Sequence, residues 1–223
     1  MLCVWRMQCS LVVLENSLCN VRAANQPVDN LRSAEAAASA ESGARMAPLT
    51  AKAGPGGAWN NAGISDVSRP FTELSRTEWD RMIAVNLTSV FLCMKHELRQ
   101  MTVQGYGAIV NTSSGAGLVA APFLPHYTAA KHGVLGLTKA AAQEFNGAGI
   151  RVNAVCPGMV DTPMIQSWFE SSPGIAQAVL ATMPGGRLGR PEQVAEAAVW
   201  LCGDPANWVS GLSMVVDGGA VNR

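Results

Sequence analysis

The sequence predicts an α/β fold built on a parallel sheet, and three observations predict it. From Asn60 onward, short apolar runs alternate with amphipathic helical stretches, the pattern of repeated βαβ units. Gly149, Pro163, Pro191, Gly203 and Pro205 stand at the ends of these stretches, as helix and strand boundaries favour. Of the 223 residues, 48% are hydrophobic and 14% charged, against about a quarter charged in an ordinary domain. That is enough apolar material for a sizeable core, and it excludes a chain disordered throughout.

Each element has its own warrant. Leu74 to Leu98 carries Trp79, Met82, Ile83, Leu87, Val90, Phe91, Met94 and Leu98 at helical spacing, which predicts one long amphipathic helix. Ala108 to Asn111 follows Gly105 and Gly107 and reads as a buried strand. Tyr127 to Phe145 predicts a second helix, rich in small residues. Gly149 interrupts the chain, and Ile150 to Val155 reads as the next strand. Thr162-Pro163 looks like a helix N-cap followed by proline at the first helical position. Pro191 opens another helix in the same way, with Val194, Ala197, Ala198 and Leu201 on one face; Gly203 and Pro205 end it. Leu212 to Val216 is the last expected strand.

The first 59 residues differ. Ser33 to Ala58 is mostly Ala, Gly, Ser and Pro, with almost no large apolar residue. Such a segment cannot bury enough surface to offset its ordering entropy, so poor order is expected for residues 1–59. The Ala-rich stretch Ala34 to Ala40 would form at most a marginal helix. Gly56-Gly57-Ala58-Trp59 does not read as a strand.

Composition also restricts function. The 16 basic and 16 acidic side chains cancel, so no nucleic-acid partner is expected. Six cysteines without a C-x-x-C pair read as thiols in a reducing compartment. The three histidines form no cluster with them, so no metal site is expected. No apolar run reaches membrane-spanning length, and the N-terminal stretch is a poor signal peptide. The expectation is a soluble, cytoplasmic protein without a membrane partner.

Four polar residues stand where a bland core would not put them. Asn86 lies on the apolar stripe of the first helix; a buried amide needs partners, which by itself suits a purely structural role. Ser114 follows a strand end, where ligand sites of open parallel sheets lie, although a loop serine is the plainer explanation. Tyr127 and Lys131 share a helix face at i and i+4. At about 4 Å and an effective dielectric of about 20, the ammonium would attract a phenolate by about 4 kcal/mol. That could lower the phenol by up to about three pH units, toward the range where general acids and bases work. An isolated Y-x-x-x-K is more often a surface pair.

This pair is not isolated. Asn60-Asn61-Ala62-Gly63, Asn86, Ser114 thirteen positions before Tyr127, and Tyr127-Thr128-Ala129-Ala130-Lys131 follow one another in order. Arg151-Val152-Asn153-Ala154-Val155-Cys156-Pro157-Gly158, Gly189-Arg190-Pro191-Glu192 and Val216-Asp217-Gly218-Gly219 follow in turn. In order and spacing, residues from about 60 to 220 resemble the short-chain dehydrogenase/reductase family.

The resemblance implies a doubly wound, Rossmann-like parallel sheet. It implies hydride transfer between NAD or NADP and a small alcohol or ketone. Tyr127 would be the general acid/base, and Ser114 would hold the same substrate oxygen. Lys131 would lower the Tyr127 pKa and bind the nicotinamide ribose, and Asn86 would hold a relay water. Pro157, Gly158, Val160 and Thr162 would face the nicotinamide end of the cofactor; Asn60, Ala62 and Gly63 would line its adenosine side. A homo-oligomer, dimer or tetramer, is implied. Met159, Ile165 and Trp168 would close over an apolar substrate or simply pack their helix.

The family's opening T-G-x-x-x-G-x-G turn has no match; Gly54, Gly56 and Gly57 have the wrong spacing. The fold is therefore expected to be incomplete at its N-terminal half, with residues 60–223 as the catalytic part. Residues 1–59 resemble text from another frame, start or exon, which the coding DNA upstream of Asn60 tests. The alternative function is an inactive family remnant serving as an oligomerisation or interaction module.

Overall fold

A computed structural model of the chain describes residues 11–13, 56–65, 68–171 and 174–222. Among these, five parallel strands form one sheet in sequence order: β1 (Leu11–Val13), β2 (Gly57–Asn60), β3 (Gly107–Thr112), β4 (Ile150–Pro157) and β5 (Ser213–Val216). The expected helix at Ala34–Ala40 lies outside the described residues.

Gly57–Asn60 forms a strand where the local sequence predicts none. Gly57–Asn60 pairs with β1 on one side and β3 on the other. Its small residues reflect close packing rather than a loop: a Cβ on Gly57 would lie 3.3 Å from Cβ of Cys202. Ala58 enters the core, and Trp59 donates from Nε1 to Thr112 Oγ1 at 2.8 Å. Tertiary neighbours supply what the local sequence lacks.

The long helix expected over Leu74–Leu98 is present but wider at its middle. α1 (Arg76–Ile83) runs through a π-helical stretch, Ala84–Thr88, into α2 (Ser89–Gln104). Ser75 starts it through a reciprocal capping box with Glu78, a device that contributes about 1 kcal/mol. Gly105, at φ 76°, ends it in a left-handed cap. α3 (Pro125–Phe145) then leads to β4. α4 (Pro163–Ser171), α5 (Ile175–Thr182) and α6 (Pro191–Cys202) precede β5; α5 was not expected from the sequence.

Alternation along the strands splits the core into two layers. Ile109 and Val152 face α2 and α3, packing with Val90, Met94, Leu98 and Val134. Val110 and Val155 face the other side, packing with Val194, Ala198 and Leu201 of α6. Leu201 is completely buried, which stabilises the fold by about 1.5–3 kcal/mol. The sheet is thus covered on both faces, the Rossmann-like arrangement. Strands add in one direction while α3 and α6 lie on opposite faces. The two crossovers therefore have opposite hands, and one departs from the usual right-handed rule.

Candidate active site

The carboxyl ends of β2, β3 and β4 carry the residues singled out from the sequence. Gly133 lets α3 approach the π-helical stretch closely; a Cβ there would meet Leu87 at 2.8 Å. Gly117 does the same for the turn after β3, where a Cβ would lie 2.8 Å from the carbonyl oxygen of Lys131.

Tyr127 and Lys131 occupy the first turns of α3. The Lys131 ammonium lies 5.6 Å from the centre of the Tyr127 ring. Its Nζ donates to the Thr112 carbonyl at 3.0 Å, and the side chain is buried. Burial pushes its pKa down to about 8. The Ser114 hydroxyl lies close enough to that of Tyr127 to pull its pKa down. Ser114 Oγ also accepts from the Ala116 amide at 3.1 Å, which fixes its direction.

The expectation that Lys131 lowers the Tyr127 pKa is corrected. Burial raises the Tyr127 pKa, and the nearby Ser114 hydroxyl opposes this without overcoming it. The physical reason is that the ammonium sits beside the ring and directs a proton to Thr112.

Asn86 is fully buried inside the π-helical stretch. Its Oδ1 accepts from the Ile64 amide at 3.0 Å and its Nδ2 donates to the Ile64 carbonyl at 3.0 Å. Nδ2 also approaches Met82 Sδ at 2.6 Å. Asn86 therefore clamps the segment that follows β2. Gly63 lies in the same crevice: a Cβ on it would stand 2.7 Å from Asn86 Oδ1 and 3.5 Å from Lys131 Nζ. Ala62 beside it is half-buried.

Asn60 points into the interior. Its Nδ2 donates to Glu97 Oε2 at 3.0 Å and to Asn111 Oδ1 at 2.9 Å. Asn111 continues to Thr138 Oγ1 at 3.0 Å. This network ties β2 and β3 to α2 and α3. Burial raises the Glu97 pKa to about 7, against the lowering effect of the Asn60 bond.

At the end of β4, the Gly158 amide donates to Val216 O at 3.1 Å, and a Cβ on Gly158 would lie 2.7 Å from Cβ of Asp217. Val160 bridges to Gly189. Thr162 Oγ1 donates to Val160 O at 3.3 Å, so its hydroxyl stabilises the turn rather than capping α4. Pro157 is near the Ser114 turn: a Cβ on Gly115 would lie 3.8 Å from its carbonyl. α4 has no buried residue, and Ile165 and Trp168 are half-buried on it.

Ser113, Thr112 and Ile64 escaped the sequence reading. Ser113 Oγ donates to Lys131 O at 2.8 Å, Thr112 receives the Lys131 ammonium, and Ile64 receives Asn86. Only Ser113, in a serine pair at a strand end, carried any signal. Among the described residues no group of His, Cys, Asp or Glu could hold a metal, and no helix is long and apolar enough to cross a membrane.

The donor set suits the nicotinamide end of a dinucleotide. A buried ammonium, a Pro-Gly turn and a threonine converge beyond the carboxyl ends of parallel strands. Gly63 keeps the space before that ammonium free of a side chain. No glycine-rich pyrophosphate turn occurs among the described residues.

The family described as enoyl-(acyl carrier protein) reductase matches residues 33–221. A 2,5-dichloro-2,5-cyclohexadiene-1,4-diol dehydrogenase of Sphingobium indicum is 42% identical over 172 residues, covering 77% of this chain and 69% of the relative. A cyclohexanol dehydrogenase of Acinetobacter sp. strain SE19 is 45% identical over 166 residues, covering 74% of this chain and 64% of the relative. The solved structure "ElxO with NADP Bound" is similar at a TM-score of 0.70 with 36% identity, over 75% of this chain and 67% of that one.

Proposed function

The chain belongs to the short-chain dehydrogenase/reductase family of NAD(P)-dependent oxidoreductases, and from that premise we propose that it interconverts a secondary alcohol and its ketone. The observation that carries the proposal is the pairing of Tyr127 with Lys131 on one helix face, the ammonium 5.6 Å from the ring centre, with Ser114 close enough to act on the Tyr127 hydroxyl.

NAD or NADP, when bound, supplies the hydride chemistry. The chain's own residues handle the oxygen and the proton. Ser114, fixed by the Ala116 amide, holds the substrate oxygen. Tyr127 gives a proton to that oxygen in reduction and takes it back in oxidation. With its pKa raised, free Tyr127 is a protonated donor. Lys131 and Thr162 would hold the nicotinamide ribose and carboxamide side, with Pro157, Gly158 and Val160 beneath. Asn86 acts by clamping Ile64 and so shaping the crevice at Gly63. We assign Ala62 and Gly63 to the cofactor wall, and Asn60 to its support through Glu97 and Asn111.

Residues 60–223 constitute the catalytic part in this proposal. A balanced net charge supports a protein without a nucleic-acid partner. We place it in the cytoplasm as a homo-oligomer. The alternative, an inactive oligomerisation module, is disfavoured by the grouping of Ser114, Tyr127 and Lys131 and by relatives that are named dehydrogenases. Titration with NADH and NADPH tests the proposal: saturable binding is expected, and none at millimolar cofactor in a folded sample would refute it.

A further inference from the structure

The turn that follows β5 touches two parts of the candidate site. Gly218, at φ 67°, and Gly219, at φ 93°, turn the chain back after Asp217. Paired glycines lose more conformational freedom on ordering than any other residues, so the position of this turn depends on what ties it down. Asp217 ties it. Its Oδ1 accepts from the Gly219 amide at 2.7 Å, and its Oδ2 accepts from the Val221 amide at 2.7 Å. Both carboxylate oxygens thus hold main-chain amides, in short bonds of the charge-assisted kind.

The two ends of this latch meet different walls. At one end Asp217 packs against the Pro157-Gly158 turn. A Cβ on Gly158 would stand 2.7 Å from Asp217 Cβ and 3.0 Å from Asp217 Cα. At the other end Val221 leans on the turn that carries Ser114: a Cβ on Gly115 would lie 3.1 Å from Val221 Cγ1. That turn is closed by its own backbone. The amides of Leu118 and Val119 donate to Gly115 O at 3.0 Å, and the Gly117 amide donates to Ser114 O at 2.9 Å. A shift of Gly115 therefore moves Ser114 with it.

This reading rests on the function proposed above, in which Ser114 holds the substrate oxygen and the Pro157-Gly158 turn faces the nicotinamide. We infer that Asp217 is a positioning residue for that reaction: by fixing Val221 against Gly115, it sets the spacing between the Ser114 turn and the Pro157-Gly158 turn. Its carboxylate moves no proton and acts only through Val221 and Gly115. Hydride transfer is sensitive to such spacing, because a misplacement of about 1 Å can cost about 100-fold in rate.

The test uses the full chain. Asp217→Ala removes the acceptor of both amides, and Asp217→Asn keeps one oxygen. Hydrogen exchange read by mass spectrometry should show the amides of residues 115–119 exchanging about 10-fold or more faster in Asp217→Ala, less so in Asp217→Asn, with α2 unchanged. With cyclohexanone and NADH or NADPH, kcat should fall about 10-fold or more in Asp217→Ala while cofactor affinity stays within a factor of about 3. The primary isotope effect from cofactor deuterated at the transferred position should rise. A residue that only stabilises the fold would lower the melting temperature and leave the isotope effect at its parent value. That result, or unchanged exchange at residues 115–119, overturns the inference.

If the Asp217 variants do not fold, the contact itself is tested. Gly115→Ala crowds Val221 and should lower kcat about 10-fold. Adding Val221→Ala makes room and should restore at least about half of the parent rate; no restoration overturns the inference. In a parent chain that binds cofactor without reducing cyclohexanone, exchange at residues 115–119 decides alone, read in Asp217→Ala or in the Gly115 and Val221 variants. Absence of NADH and NADPH binding by the folded parent refutes the underlying reaction, and this role for Asp217 with it.

Discussion

Gly63 faces Asn86 so closely that a methyl group on its Cα would stand 2.7 Å from Asn86 Oδ1. The same methyl would lie 3.5 Å from the Lys131 ammonium. Gly63→Ala must therefore displace the amide that clamps both polar groups of Ile64. Loss of a buried hydrogen-bonded arrangement costs about 1–3 kcal/mol. A fall in melting temperature and a drop in kcat of about 10-fold or more are expected. Thermal unfolding and steady-state kinetics on one preparation check both.

Tyr127→Phe removes the proposed proton donor and keeps the ring beside Lys131. Turnover should fall by about 10²–10⁴-fold, with cofactor affinity within a factor of about 3 of the parent. Cofactor fluorescence titration and initial rates measure the two separately. A variant that retains near-parent turnover would show that another group moves the proton.

Lys131 titrates at about 8 because it is buried. Below that pH it is an ammonium able to hold the nicotinamide ribose proposed for it, and above it that charge is lost. Ketone reduction, followed as kcat/KM, should therefore decline as pH rises through about 8, approaching tenfold per pH unit. A profile that stays flat beyond pH of about 9.5 would assign the limb to a different group.

Glu97 has a folded pKa raised to about 7 by burial, while the unfolded carboxyl titrates near about 4.3. The folded state thus binds more protons between those values, so stability falls as pH rises through that window. The penalty is complete above about 7 and absent below about 4. Glu97→Gln keeps an oxygen for the Asn60 amide. It should raise the melting temperature at pH 8 by about 2–4 °C and leave it unchanged at pH 4. Scanning calorimetry at the two pH values decides this.

The spacing of the candidate site was legible because helical geometry alone aligns Tyr127 with Lys131 and a strand end delivers Ser114. Strands β3 and β4 and helix α6 were legible through their periodicity. Strand β2 was not, because Gly57 and Ala58 owe their conformation to Cys202 and the flanking strands. The wide turn around Asn86 was also hidden: sequence periodicity does not report a carbonyl shifted from i−4 to i−5.

By itself, the sequence determined the alternation of elements, the family and which side chains are candidates for the reaction, because these follow from local periodicity and fixed spacing. Only the tertiary structure decided their chemical state. It aimed the Lys131 ammonium at Thr112 instead of the phenol, committed Asn86 to Ile64, and turned Asn60 inward to Glu97. Hydrogen bonds and burial act between residues far apart in the chain, and those distances exist only once the sheet and its helices have packed.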